Sequence, residues 1–459
     1  MNWLSSPQMG LLERYLDLAT MRQTLISTNL ANVDTPGYSR QRPELEETPP
    51  VLTGGVTLGT GVELKQVVSL RDSILDLRVN QETQNQGKLN AFLGSAQQIQ
   101  ALFNETTGTG LQSSLTAFFS SLSQLSLNPS DLNLRQAVLS SAQNLAGAFN
   151  QSSANLSTLQ RNVDLSVSQS VNQINTLTAQ IAAVNAQVSA ATTSGQNPGP
   201  FVDQRQQLIN QLSNLIDVSE INAGNGSLTL TTSAGAALVV GGQSFQLVAQ
   251  TNGATGLQDV FSQGSNITSR ISGGQLAGQL QVRDQEITAV RNSLDALAAG
   301  LATAVNTQHQ AGVDLGGAPG GNFFVPPPAG IAGAASSLAV AITDPTKIAA
   351  SSDGTAGDNS NINAILALQN QTIINGQTPL SAYSNLIFQI GNDVQSAQTN
   401  QEAGSLVLQQ IQNLQGGVSG VDINEESANL IRFQNAYQAS AQVASVINTL
   451  LETTINMVQ

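Results

Sequence analysis

Residues able to do chemistry are scarce in this 459-residue chain: His309 is the only histidine, cysteine is absent, and the lysines are Lys65, Lys88 and Lys347. A lone histidine could act as a general base, but no serine or carboxylate near His309 completes a recognisable nucleophile motif. It falls at the end of an expected helix before Gly312, where the field of a helix C-terminus favours an imidazolium. A structural or solvated role is expected there. One histidine without cysteine does not build a usual transition-metal site, and the carboxylates lack the spacing of a calcium loop. No metal and no cofactor is therefore expected. The loop from Gly316 to Gly321 has neither a following Lys-Ser/Thr nor the strand-to-helix setting of a phosphate cradle, so it reads as a tight surface turn. Glu425 and Glu426 are adjacent, about 100° apart on a helix, and read as first-turn acids favoured by the helix dipole. The chain is not expected to be an enzyme.

The elements that would have to position such residues carry more information. Leu430, Tyr437, Ala444, Leu451 and Val458 recur every seven residues near the C-terminus, with Ala436, Val443, Leu450 and Met457 in a second column and Phe433 and Ile447 between. That is a heptad pattern whose remaining face is uncharged and polar. At the other end Leu4, Leu11, Leu18 and Leu25 share the spacing, beside Leu12, Ala19, Ile26 and Val33. The two ends thus offer matching apolar stripes. Periodicity alone leaves open whether they form a stem inside one molecule or an intersubunit element.

Composition narrows the class. With 30 acidic against 16 basic residues the net charge is −14, and only 10% of residues are charged. There is no basic patch to neutralise phosphates, so neither nucleic acid nor a membrane surface is an expected partner. No apolar run is long enough to span a bilayer. Met1 to Gly10 lacks the pattern of a Sec-type signal peptide, so export, if it occurs, is expected to proceed without a cleaved signal.

Taken in order, the first helix must stop near Val33, because Pro36-Gly37 is a turn pair. Pro- and Gly-rich extended chain follows to Leu64, then helices around Ile74 to Leu102 and Leu111 to Leu127. From Asp131 to about Ala191 the apolar spacing predicts one very long helix, with consecutive steps of four through Val163, Val167 and Val171 that resemble a coiled-coil stutter. A returning helix is expected over Val202 to Ile216. Alternating runs at Ser227–Thr231, Ala237–Val240, Phe245–Val248 and Ile267–Ile271 then predict strands. Helix resumes from Gly278 and again from Ser381, and Asp422 or Asn424 can cap the last helix. The fold class is mainly α with a small inserted all-β domain, arranged as an elongated nested helical hairpin with paired N- and C-terminal coiled-coil helices and the β insertion at the tip. The expected domains are 1–50 with 418–459, 51–216 with 272–417, and 217–271.

The stretch from Asn29 to Gln41, with Asn32, Pro36, Gly37 and Tyr38 at its turn, resembles the N-terminal motif of bacterial flagellar rod, hook and hook-associated proteins. Val418 to Ala441 resembles their C-terminal motif. Gly312–Leu315 running on to Phe323-Phe324, the preceding Val282–Asp284 and Asn306–His309, the segment Thr343–Ser351 and the long helix are similar to the FlgK type of hook-associated proteins; 217–271 looks like that family's variable outer region.

The resemblance implies a structural adaptor that joins hook to filament and assembles as a ring. Its implied partners are further copies of itself, hook protein, a second junction protein and an export chaperone. It also implies an extracellular place at the hook–filament junction, reached by type III export, and no enzymatic activity. The assembly interface is expected at Leu11, Leu18, Leu25, Ile26, Leu430, Phe433, Tyr437, Val443, Ile447 and Leu450. Two other readings are a hook or distal-rod protein, which would lack the long helical hairpin, and a secreted adhesin or effector presenting 217–271 on a helical stalk.

Overall fold

The computed structural model describes residues 6–53, 56–105, 110–224 and 226–458. Helix α1 (Ser6–Ala31) leads into an antiparallel ribbon of β1 (Gln41–Glu47) and β4 (Val62–Ser69), whose outer end carries the short pair β2 (Val51–Thr53) and β3 (Val56–Leu58). Helix α2 (Ser73–Leu102) begins where the Asp72 carboxylate accepts from the amides of Ile74 and Leu75. In α3 (Leu111–Leu127) the early amide of Gln112 donates to both oxygens of Glu105. These are the side-chain caps that the unsatisfied first turn of a helix requires.

The spine is α4 (Leu132–Thr193), 62 residues capped by Asp131 and about 93 Å long at 1.5 Å per residue. No single core covers it. Leu139 to Val163 pack with α3, with α7 (Ile287–Gln310) and with Phe323 and Phe324, whereas Val167 to Ala182 pack with α5 (Gly199–Leu215), α6 (Gly274–Gln281) and the strands. The handover falls between Val163 and Val167, inside the run of four-residue steps that the sequence shows as a stutter. Such a step rotates the apolar stripe around the helix and lets it serve two cores on different sides.

The inserted strands form two antiparallel sheets. One has the order β5 (Ser219–Asn222), β6 (Leu228–Thr231), β7 (Ala237–Val240), β8 (Gln243–Ser244); the other runs β11 (Ser265–Asn266), β10 (Gln258–Ser262), β9 (Leu247–Thr251). They do not sit at the tip, as the sequence reading expects. Asn185 donates to Leu228 O and Gly241 O, Asn175 exchanges hydrogen bonds with Leu247, and Asp164 accepts from Gln258 N, so the insertion lies along the second half of α4. The cause is the length of α5, which at 17 residues retraces only part of α4 and releases the chain partway up the spine. The run Ile267–Ile271, expected as a strand, is instead a 3₁₀ turn at Thr268–Arg270 with Ile267 and Ile271 both buried. Two apolar residues four apart are satisfied by a helical turn as readily as by an alternating strand.

The far end of α4 is closed by α3, α7, α8 (Ala334–Ser337) and α9 (Ser360–Ala367). Arg135 there donates to the carbonyls of Pro129, Pro345 and Ile348. His309 belongs to this core: Nδ1 lies 2.7 Å from Gly321 O, and Nε2 accepts from the Ala349 amide at 2.9 Å. An accepting Nε2 fixes the proton on Nδ1, so the ring is neutral. Burial pushes its pKa below the usual histidine value. The imidazolium expected at a helix C-terminus is thus overturned, because desolvation and the Ala349 amide outweigh the helix field. Helix α10 (Pro379–Ser419), capped by Thr378, runs back along α2, and α11 (Ile423–Val458) begins where Asp422 caps Asn424 and Glu425.

Between α6 and α7 a π-helical turn, Val282–Glu286, turns Arg283 inward. Its guanidinium meets Asp164 at 2.7 Å, Asp284 at 2.7 Å and the Gln258 carbonyl. Asp164→Ala leaves this 2%-exposed arginine with half its countercharge and orphans the Gln258 amide. It should destabilise the body by about 3 kcal/mol, measured by urea denaturation. His309 gives a second expectation. The folded ring is neutral while the unfolded one protonates below about pH 6.5, so its contribution to stability is full above that pH and declines as pH falls. The fall in melting temperature on acidification should be shallower in His309→Gln than in the parent chain.

Candidate assembly interface

The two terminal helices pair antiparallel, Asn29 lying against Glu426 and Arg22 against Phe433 further along. On α1 the seam buries Leu18, Ala19, Leu25 and Ile26, because α11 covers one side and the β1–β4 ribbon the other. On α11 Glu426 is buried, and Ser427, Asn429, Leu430, Phe433, Ala436, Ser440, Ala444 and Ile447 are half-buried. The intramolecular seam therefore runs along the line of Phe433 and Ile447, between the two heptad columns.

The residues expected at the interface divide accordingly. Leu18, Leu25 and Ile26 are buried within the chain, and Leu430, Phe433 and Ile447 are half-buried there. Leu11 is 43% exposed, Tyr437 37%, Val443 51% and Leu450 60%. Sequence reasoning passed over Val446, Tyr15 and Met21, which are also exposed; Val446 is three residues from Val443 and could have been found from the helical period. Met457, named in the second column, is exposed too. Leu4 lies outside the described residues, as do the side chains of Leu451 and Val458.

The motif turn fastens this pair to the body. Asn32 donates to Thr28 O and accepts from Thr35 Oγ1. Gly37 has φ +76°, and a Cβ there would stand 2.5 Å from the Gln207 amide, whose Nε2 donates to Pro36 O. A side chain at this position would be strained by the positive φ and would have to push the Gln207 side chain off the Pro36 carbonyl. Tyr38 donates to Asn29 Oδ1 at 2.8 Å; burial, with the nearby charges of Asp203 and Glu426, pushes its pKa up to about 12, so it stays a neutral donor.

Next to the turn, Arg40 donates through Nε to Glu426 at 2.6 Å and through both terminal nitrogens to Glu425 at 3.0 and 2.7 Å. The two acids read as helix-dipole partners grip one guanidinium from the opposite end of the chain, and Glu426 is buried in doing so. The Arg40 amide donates to Ser419 O, the Ser39 amide to Asp203, and Arg71 bridges Ser39, Asp203 and Asp76. Burial raises the Asp203 pKa, and those bonds oppose the rise. The end of α1, the starts of α2, α5 and α11 and the end of α10 thus meet in one polar joint.

Among the described residues no group of three or more His, Cys, Asp or Glu could hold a metal, and no helix is long and apolar enough to cross a membrane. A cleft of 660 Å³ beside Gln97, Gln112 and Tyr383 holds one carboxylate, Glu105. That carboxylate is committed to the α3 cap and to the Tyr383 hydroxyl.

The family model described as flagellar hook-associated protein FlgK helical domain matches residues 96–324, and that described as flagellar basal body rod FlgEFG protein C-terminal matches 415–457. The chain is 30% identical to flagellar hook-associated protein 1 of Bacillus subtilis, over 99% of both chains. It is 28% identical to the protein of that name in Escherichia coli, over 96% of this chain and 98% of that one. It shares the fold of the flagellar hook junction protein FlgK from Burkholderia pseudomallei with a TM-score of 0.67 at 18% identity, over 74% of this chain and all of that one. A full-length relative at this identity, together with the FlgK-specific helical domain, separates the chain from hook and distal-rod proteins: it belongs to the FlgK family of flagellar hook-associated proteins.

Proposed function

We propose that this protein is a structural junction component between flagellar hook and filament, and that it assembles with copies of itself into a ring through the α1–α11 pair. The observation that carries this reading is the division of the terminal helices into an inner seam closed within the chain and an outer set of exposed apolar residues, Leu11, Tyr15, Val443, Val446 and Met457 among them. Each large side chain covered by a neighbour contributes very roughly 1.5–3 kcal/mol before the entropy of ordering is subtracted. Assembly into a ring requires these outer residues to meet a different patch of the neighbouring copy, the head-to-tail contact that builds rings or helical arrays.

In this reading the protein acts outside the cell, having been exported by the flagellar type III route. Hook protein and the second junction protein are its axial neighbours, a chaperone accompanies it before export, and it catalyses nothing. The polar joint at Arg40 sets the angle between the assembling pair and the body.

Deletion of the gene should leave bare hooks and release filament protein into the medium; filaments still attached to hooks would overturn the junction role. Leu430→Asp places a carboxylate in the half-buried seam, which costs more than its exposure can relieve. The variant should be exported, keep the thermal unfolding of its body, and fall at least about tenfold in flagellar incorporation by immunoblot. Normal incorporation would sink assembly through the terminal pair.

A further inference from the structure

The Phe433 ring carries two guanidinium groups, Arg22 Cζ at 4.8 Å and Arg432 Cζ at 4.9 Å from its centroid. Two like charges on one ring repel each other, and the favourable contact each makes with the π face is worth only about 0.5–1 kcal/mol when exposed. Neither arginine forms an ion pair among the described residues. The pairs of the terminal region are Arg40 with Glu425 and Glu426, and Lys65 with Glu44. The residues three and four positions away from each arginine on its own helix are all uncharged. In a chain with nearly twice as many acids as bases, an uncompensated pair of arginines is a positive site awaiting an anion.

The same helix pair holds matching acids. Glu13 and Asp17 lie four residues apart on one face of α1, both exposed and neither hydrogen-bonded nor ion-paired among the described residues. They stand five and nine residues from Arg22, about 7–14 Å along the axis, too far to reach it within one chain. We propose that Arg22 and Arg432, held on Phe433, receive the Glu13 and Asp17 carboxylates of the next copy of this chain, which is offset along the helix axis by that distance. The two sites sit at different heights on one helix pair, so each copy donates its acids to one neighbour and its arginines to the other. This is the repeating head-to-tail contact that an array requires. Phe433 holds the guanidiniums in place beforehand, which lowers the ordering entropy lost on docking.

The inference rests on self-assembly through the terminal pair, and its test is kept separate from that reading. R22E/R432E and E13R/D17R, each expressed alone in a strain lacking the native gene, should be exported yet fall at least about tenfold in incorporation, since each sets like charges face to face. Expressed together they should recover incorporation, because the acids of one chain now meet the arginines of the other, whereas a defect in folding would not be repaired in this way. Parental incorporation of either variant alone, or no recovery while both chains are exported normally, would overturn the proposal. Filaments attached to hooks without the gene would instead remove the junction role itself.

Discussion

A helix of 62 residues presents more apolar length than any other segment of this chain can cover, and the rest of the fold follows from covering it in pieces. Helix α5 returns along one part and then releases the chain, which folds into strands against the helix at that height. Helices α3 and α7 cover the other half, reached only after the chain has passed through α6 and the π-helical turn. The turn is where the two cores meet: Arg283 joins α4, β10 and its own helix at one buried point. Burying a guanidinium is unfavourable unless its partners are fixed, and here they come from segments that would otherwise have no reason to stay in register.

The nested layout brings the two ends of the chain to one place, and the polar joint makes that meeting specific. Apolar stripes at heptad spacing slide past one another with small penalties, because a slip of seven residues, two turns, replaces one leucine by another. A guanidinium held by two carboxylates, and an asparagine that exchanges hydrogen bonds with Gln41 while touching Glu426, do not tolerate a slip. Register in the terminal pair is therefore set at its body end, and the outer end is left to present its exposed residues.

Much of this architecture was legible. Periodicity and turn signals place α1, α3, α4, α5 and α11 with ends within a few residues of those observed, because long amphipathic helices repeat their signal many times. The stutter near Val167 was visible, though not its meaning as a change of core. What periodicity could not resolve was the face of α11: two heptad columns of similar apolarity sit on either side of the true seam, and only the partner helix decides between them. The grip of Arg40 on Glu425 and Glu426 was missed because it spans the whole chain; the signal available was a lone adjacent acid pair in one end motif and an arginine in the other. His309 was misjudged in charge because the Ala349 amide that fixes its tautomer comes from a loop with no periodic pattern. The strand reading at Ile267 failed for a different reason, since two isoleucines four residues apart with polar residues between them do not distinguish a strand from one turn of helix.

The scarcity of charge in this chain is itself informative once the arginines are placed. Arg40 ties the two ends together, Arg71 ties α2 to α5 through Asp203, Arg135 ties α4 to the carbonyls of the Pro345–Ile348 loop, and Arg205 donates to Asn185 and the Gly226 carbonyl. Arg283 completes the set. Each stands where separate segments converge and presents a fork of donors that one segment alone could not satisfy. With polar surface supplied mostly by uncharged side chains, these five arginines mark joints. Arg22 and Arg432 obey the same rule if the converging segment is a neighbouring molecule, and in that sense the surface of the terminal pair is an unfinished joint of the kind that the interior has already closed.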